Sequence, residues 1–560
     1  MSVGPDVVFI AEIDTYLPGT TITATTPAHG VLPHGVLPVA VTASSGKLYV
    51  SDTGYRSAAA DAQGVVPYPP VMEQGFAIDV AINLDPSQPA AGASWGAMSL
   101  TNTDRRFDVI AANTNADGRD VKIWLLDRDY DAARGYWTER AKDPYGGPYI
   151  QCVAGPWTLG LNTLDIPLRD VSYWLEKPIQ SNLYDGSGTY SGGADLKGKP
   201  KPKARGGTAP LPIKNVTPVL VDAANLIYQY NDARGTVVAL YEGGDTNITF
   251  QADTANLYSG TTTAGKYRTD NSRGLFQLGS AAQRQITADV TGEFPVAGAQ
   301  SGAAMIAYYL LTEDAALSTA YVDSAAFSNI DLTYNDDSGI YIGPDDNIDG
   351  ITAAGAMLAG LNGKICPKMD GTISAFILLP PEGNATLGLD PLIASYPWLT
   401  TANVVACEPV PLPAGLYPPP YRFRVGSRRN WTIQTSGFAP TISAARQSAL
   451  ATKYQVDVPS LAYTSAYRRP NDPPIVETML VHPTAGITTA DWLMALWGVR
   501  RRLYDVTLPR DLWFQFAPLN LGLVVSLTYP LEDLVGGKLG IVVGIRIRSQ
   551  DPTFTIQVLV

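Results

Sequence analysis

Between Tyr184 and Gly207 the chain reads YDGSGTYSGGADLKGKPKPKARGG, glycine-rich at first and then basic at every second residue. Lys197, Lys199, Lys201, Lys203 and Arg205 alternate with Gly198, Pro200, Pro202 and Ala204. Prolines at that spacing fix φ and withdraw amide donors, so a helix is excluded and an extended, polyproline-like strap is predicted. A strap of this kind spans a gap and builds no core. The chain is therefore expected to form separate units on either side of residues 184–209.

The same run contains a false nucleotide signature. Gly193, Gly198 and Lys199 satisfy G-x-x-x-x-G-K, the loop whose amides and lysine cradle phosphates. The next position must be Ser or Thr to reach magnesium, and here it is Pro200, which has neither hydroxyl nor amide. Pro202 follows where a helix should begin, and the stretch from Tyr184 to Gly193 is too polar to be the strand that precedes such a loop. The structural reading, a strap, is the better one.

At 560 residues the chain is long enough for roughly three to five domains with their own cores. Only 16% of residues are charged against 45% hydrophobic, and there are 29 Tyr and 10 Trp. A folded chain with so few surface charges and so many interface-forming aromatics suits extensive subunit contact. The net charge of -12 argues against a general nucleic-acid binder. It leaves room for an acidic wall past which nucleic acid slides. Cys152, Cys366 and Cys407 are widely spaced and odd in number, so they are expected as buried thiols of a protein assembled in a reducing cytoplasm. The stretch MSVGPDVVFIAEIDTYLPG lacks the basic start of a secretory signal, and no window approaches the roughly eighteen apolar residues of a membrane span.

The fold class expected from periodicity is mainly β and multidomain, with barrel or sandwich units and a small α+β element in the middle. Residues 1–70, rich in Thr, Ala, Gly and Pro, read as an N-terminal arm. The tandem HGVLP at His29–Pro33 and His34–Pro38 reads as a turn-rich surface feature, since no third ligand type joins the two histidines as metal would require. Residues 71–183 read as a β-barrel domain. Phe76, Ile78, Val80, Ile82 and Leu84 alternate with smaller or polar residues, and further strands are expected at Trp95–Leu100, Phe107–Ala111, Val121–Leu126 and Trp157–Ile166. A hairpin turn is expected at Asn115–Gly118.

After the strap, residues 210–408 read as a middle β and α+β region. Strands are predicted at Leu226–Tyr230, Thr236–Tyr241 and Gly274–Leu278. Helical spacing appears in Ala303, Ile306, Ala307 and Leu310, and again over Gly350–Leu361. A hairpin should then run from Lys364–Pro367 through Asp370-Gly371 to Ile373–Leu379. Six prolines in Pro409–Pro420 read as a linker or crossing strap, opening a C-terminal β domain over 409–560. Within it, Tyr421, Phe423 and Val425 alternate with Arg422 and Arg424 as a strand. A helix over Thr488–Arg501 should carry Trp492, Ala495, Leu496 and Val499 on one face. Strands at Leu521–Leu527, Leu539–Ile547 and Phe554–Val560 close the chain.

Sites for chemistry are sparse. Asp345, Asn347 and Asp349 fit the opening of a calcium loop, D-x-[DN]-x-[DN]-G, but Ala356 stands where the bidentate Glu is required. A helix cap by Asp346 or Asp349 is the simpler reading. Three histidines, His29, His34 and His482, leave few nucleophile–base pairs; Cys152 with His482 is the one hydrolase dyad to pose, and no motif surrounds either.

Several segments resemble the baseplate hub or tail-tip proteins of long-tailed bacteriophages of the siphophage type and of the related gene transfer agents. They are IPLRDVSYWLEKPIQ (Ile166–Gln180), followed by GGADLKGKPKP, then AMLAGLNGKICPKMDGTISAFILLPP (Ala356–Pro381). VGSRRNWTIQ (Val425–Gln434), RRLYDVTLP (Arg501–Pro509), LNLGLVVSLTYP and KLGIVVGIRI complete the set. The match covers about two thirds of the chain, and GGADLKGKPKP is its most specific piece; residues 1–70 have no counterpart.

The resemblance implies a non-enzymatic structural protein of the virion tail tip, assembled in the host cytoplasm and needing no cofactor. It implies a homotrimer with two tube-like β domains per chain, the pair here being 71–183 and the C-terminal region. It also implies contacts with a distal tail or tube protein, a tape measure protein and tail fibre or tip proteins, with DNA passing only transiently through the channel. A hexameric distal tail ring is the alternative within the same class, and a tail-associated cell-wall hydrolase the alternative outside it. On this reading Lys197, Lys199, Lys201, Lys203 and Arg205 form an assembly strap, pairing with carboxylates of a neighbouring subunit.

Overall fold

In a computed structural model the described residues are 7–15, 22–23, 42–43, 46–59, 61–86, 91–114, 116–131, 136–139, 148–334, 336–381, 398–460, 468, 471–512, 520–531 and 534–560. They form a mainly β, multidomain protein. The tandem histidines His29 and His34, and Asn115 of the expected turn, lie outside the described residues.

The first sheet has the strand order Lys47–Ser51, Val7–Asp14, Asp120–Asp131, Ile150–Ala154, Thr163–Arg169, Ala97–Thr101, Met72–Gln74, antiparallel throughout. This revises the reading of residues 1–70 as an arm, because VVFIAEID is an interior strand whose residues from Val8 to Ile13 are buried on both faces. Phe9, Ala11 and Ile13 enter the largest core, while Val8 and Ile10 pack with Tyr55, Tyr68, Trp124 and Leu126 on the other side. A strand covered on both sides is a continuous apolar run, so it lacks the alternation that marks a half-buried one.

A second sheet runs Trp398–Leu399, Val524–Leu527, Lys538–Arg548, Thr553–Leu559, Leu503–Pro509, Ala406–Val410. The strand Lys538–Arg548 is long enough to hold Val524–Leu527 along its first half and Ala77–Ile82 along its second. The alternating Ile78, Val80 and Ile82 therefore belong to the C-terminal sheet, and the largest core runs from Phe9 to Val560. The expected division at residue 71 does not follow the sheets. Nor is Pro409 in a free linker, since Ala406–Val410 pairs with Leu503–Pro509.

Two further sheets make up the middle of the chain. One is built on Ile286–Phe294, flanked by Ile213–Val216, Gly235–Glu242 and Lys203–Gly206, with Gly339–Ile342 beyond the last. The other orders Val219–Asp222, Ile227–Gln229, Leu275–Leu278, Lys266–Asp270 and Thr249–Asp253. Helices Ala303–Tyr309, Ser324–Thr333 and Gly350–Leu358 share a core with the hairpin of Gly363–Pro367 and Ile373–Ile377. That α+β element, including the burial of Ala303, Ile306, Ala307 and Leu310, is as the spacing predicts.

Local expectations fail in three places. Phe107–Ala111 is not a strand: Asp108–Asn113 is a helix, entered through Asn102, whose Oδ1 accepts from the Phe107 amide at 2.9 Å. Phe107 and Ile110 are buried at a spacing that fits one helical face better than strand alternation. Only Val425–Ser427 of the strand expected from Tyr421 forms, because Arg422 and Arg424 turn to Asp472. The last helix is Ala485–Trp497 and stops at Gly498, so Val499 lies beyond it at 50% exposure; the inward face is Ala490, Leu493, Met494, Leu496 and Trp497. Among the described residues no helix is long and apolar enough to cross a membrane.

Candidate assembly strap and its ion-pair network

The glycine-rich half of the strap is a folded loop whose amides are already used. Leu196 donates to the Gly193 carbonyl at 3.0 Å, Gly198 to that of Tyr184 at 2.8 Å and Lys199 to that of Leu196 at 2.9 Å. A phosphate cradle needs those amides free and convergent. The loop is pinned by Leu196 and Tyr184, which share a small core with Val221, Ile227, Leu257 and Leu275. Lys197 and Lys199 remain exposed, and Lys201 is half-buried with its ammonium 5.4 Å from the Tyr184 ring centre.

The basic half is not a free strap. Lys203–Gly206 is a sheet strand paired with Gly339–Ile342, and all four of its residues are buried. It fits because its other neighbour has no side chain where the two meet: Gly206 pairs with Gly292, and a Cβ on Gly292 would fall 1.9 Å from the Ala204 carbonyl oxygen. In a strand, residues two apart share a face, so Lys203 and Arg205 point together to one side and Ala204 to the other, into the core beneath the sheet.

On that side they meet two carboxylates. Lys203 Nζ is 2.8 Å from Asp232 Oδ2 and 2.8 Å from Asp314 Oδ1. The Arg205 Nη2 donates to Asp232 Oδ1 and Asp314 Oδ1, each at 2.8 Å, and its Nε to Asp314 Oδ2 at 2.8 Å. Arg205 Nη1 reaches Asn231 Oδ1 at 2.7 Å, and the guanidinium lies 5.2 Å from the Phe294 ring centre. Two cations and two anions cancel, which is the condition for burying four charges together. Burial opposes the ionisation of Asp232, but Arg205 and then Lys203 outweigh it and hold its carboxyl below the ordinary value of 3.8.

Lys203 and Arg205 are therefore withdrawn from any neighbour's carboxylates, a correction to the five-residue assembly strap. Their role is internal: they join the strand to the loop after Ile227–Gln229 and to the end of the helical turn Leu310–Asp314. Sequence reasoning missed Asp232 and Asp314, for 52 acidic residues offer no rule for choosing two.

The acidic run keeps to local work. Asp349 Oδ1 accepts from the Thr352 amide at 2.7 Å and so caps Gly350–Leu358, while Asp346 Oδ2 accepts from the Gly343 amide at 2.7 Å. Among the described residues no three His, Cys, Asp or Glu side chains gather as metal ligands. Cys152 is buried in an interior strand, and burial, followed by Asp120 and Asp170, pushes its thiol well up, the wrong direction for a thiolate nucleophile. His482 sits at a turn with its Nδ1 3.1 Å from Thr484 Oγ1.

No protein-family profile matches the chain, and no curated protein matches it. Solved structures do show likeness. A tail protein from Neisseria meningitidis MC58 aligns at 10% identity over 89% of this chain and 94% of its own, with a TM-score of 0.34. The 43 kDa tail protein of prophage MuSo2 from Shewanella oneidensis aligns at 8% identity over 90% and 97%, TM-score 0.33. A chain in the virion of a native gene transfer agent particle aligns at 12% identity over 68% and 86%, TM-score 0.32.

Proposed function

We propose that the protein is a structural, non-enzymatic tail protein of a phage-like particle. More specifically, we read it as the baseplate hub that connects the distal end of the tail tube to tip and fibres and lines part of the DNA channel. The observation that carries the reading is the fate of the run from Gly192 to Gly207, made of GGADLKGKPKP, the segment most specific to the hub resemblance, and the KARGG that follows it. It is built into the framework by backbone pairing and a neutral ion quartet, and it presents no cradle for a nucleotide. A connector of this kind ties the strand to the helical core within one subunit, which keeps the subunit's shape fixed in a closed ring.

A second feature favours assembly. Among the described residues Trp398 is 71% exposed on Trp398–Leu399, an edge strand of the C-terminal sheet. An exposed Trp on an open edge is the kind of anchor that subunit interfaces bury. The homotrimer, with tube, tape measure and fibre proteins as partners, belongs to this proposal.

The test is imaging of intact particles with the protein labelled at its C-terminus. Threefold density at the tail tip supports the hub, and sixfold density makes it a distal tail ring. A stable monomer at high concentration that is missing from particles overturns the structural reading. Peptidoglycan clearing by the wild type, lost in Cys152→Ala or His482→Ala, would make it a hydrolase instead.

A further inference from the structure

Where the middle sheet meets the small three-stranded sheet of Val425–Ser427, Gln455–Asp457 and Val476–Glu477, a cavity of about 300 Å³ opens between the two units. Its wall comes from the Ile213–Val216 strand on one side and from Arg428, Asn430, the Ala444–Leu450 helix and the Thr452–Gln455 turn on the other. The two sides are stitched by the Trp431 amide donating to the Lys214 carbonyl at 3.2 Å and by a bridge between Lys214 and Asn430. Sites for small ligands concentrate at junctions of this kind.

The wall is cationic in a protein whose net charge is -12. Lys214, Arg428 and Arg446 line it, and among the described residues no carboxylate does. Lys214 is balanced from behind by Asp289, 2.8 Å away. Among the described residues the Arg428 side chain donates to the neutral Gln455, at 3.0 Å, Arg446 lies over the Tyr241 ring at 4.6 Å, and neither is salt-bridged to a carboxylate. Two guanidinium charges thus stand unbalanced in one concave site, the arrangement that receives phosphate or carboxylate.

The Arg446 guanidinium also bonds the Tyr241 side chain, and two buried polar atoms in the same wall have no hydrogen-bond partner among the described residues. They are the side-chain oxygen of Asn215, a residue only 4% exposed, and Nη2 of Arg446. Leaving a buried donor or acceptor unmade is costly, so each is available to a ligand group that enters the cavity. The Arg donor asks for an anion and the amide oxygen for a hydroxyl. Asn215 and Arg428, from opposite walls, are also both held at φ 50, a conformation that surrounding structure must impose.

We propose that this cavity binds a phosphate ester of a polyol or sugar, with the phosphate on Arg428 and Arg446 and a ligand hydroxyl on Asn215. Its volume equals the liquid share of about ten waters, enough for such a molecule. Calorimetric titration of the full chain with glycerol 3-phosphate tests it, with glycerol and inorganic phosphate as separate arms.

The expected result is saturable binding of the ester, weaker binding of phosphate alone and none of glycerol. Arg428→Gln and Arg446→Gln should each weaken the ester by roughly tenfold or more, with an unchanged thermal melt, and Arg446→Lys should lose less. No binding at millimolar ester, or equal binding by the wild type and both Gln variants, overturns the site. Phosphate binding as tightly as the ester overturns the ester assignment. Particle imaging and this titration fail independently, since neither outcome constrains the other.

Discussion

Arg205 holds Asp314 by two parallel bonds, Nε to Oδ2 and Nη2 to Oδ1, both 2.8 Å, across 109 residues of chain. Arg205 is fully buried and Asp314 nearly so, so the pair is a fixed joint between the Lys203–Gly206 strand and the helical core. Arg205→Met should therefore leave Asp232 and Asp314 facing Lys203 alone and cost about 3–5 kcal/mol, the range for stranding a buried charge. Equilibrium unfolding in urea measures it. A loss below about 1 kcal/mol, the range of an exposed pair, would show that the quartet is solvated in the native protein.

The same quartet gives the protein an acid limit. The folded Asp232 carboxyl is held below its ordinary 3.8, so its stabilisation is complete above that value and drains away as pH falls through the depressed folded value. Asp232→Asn should be less stable than the wild type at neutral pH, and the gap should narrow only below about pH 4. Melting curves of both proteins across pH 2 to 7 check this. A gap that narrows already near pH 6 would assign the linkage to another group.

How far the sequence could be read is clearest around these residues. Prolines and alternation gave the extended backbone of 199–206, yet not its burial, because a strand covered on both sides and a solvated strap look alike when their cations are paired from elsewhere. Lys203 and Arg205 find Asp232 and Asp314 only through the tertiary fold, and local pattern carries no such information. The middle helices were legible because their apolar faces repeat at helical spacing, as in Ala303, Ile306, Ala307 and Leu310. The pairing of Ala77–Ile82 with Lys538–Arg548 was not, since strand partners hundreds of residues apart leave no local mark. The cationic cavity was hidden for the same reason, its three cations lying on separate segments.

The thiols should be inert. Cys152, Cys366 and Cys407 are all buried, and burial raises each, Cys366 to about 12 and Cys407 to about 11. A disulfide-exchange reagent should react with none of them in the native protein and with all three in denaturant. Fast native reaction at Cys152 would reopen the case for a nucleophile.

Lys197 and Lys199 keep the assembly role proposed for the strap, being exposed on a pinned loop. If they meet a neighbour's carboxylates at an interface rim, Lys197→Ser with Lys199→Ser should slow association and flatten its salt dependence while the monomer melt is unchanged. Sedimentation at low and high salt measures both. Identical association of variant and wild type at every salt concentration would make the loop a spacer.

Lys364 carries a linkage of the same sign as Asp232, shifted to the alkaline range. It is 1% exposed on Gly363–Pro367, its ammonium donating to the Asp85 carbonyl at 3.1 Å, and burial brings it down to about 8 although Asp85 pulls the other way. The folded protein sheds this proton near pH 8 while the unfolded chain keeps it to about 10.5, the ordinary value. Between those values the unfolded state binds the extra proton, so stability contributed by this residue rises with pH. The rise is on the order of 3 kcal/mol, at about 1.4 kcal/mol per pH unit. Lys364→Met removes the titrating group, so the wild type should gain on the variant between pH 8 and 10 in urea unfolding, with tyrosine ionisation common to both. Parallel pH profiles for the two proteins would mean that Lys364 stays charged in the fold and that its ammonium is solvated.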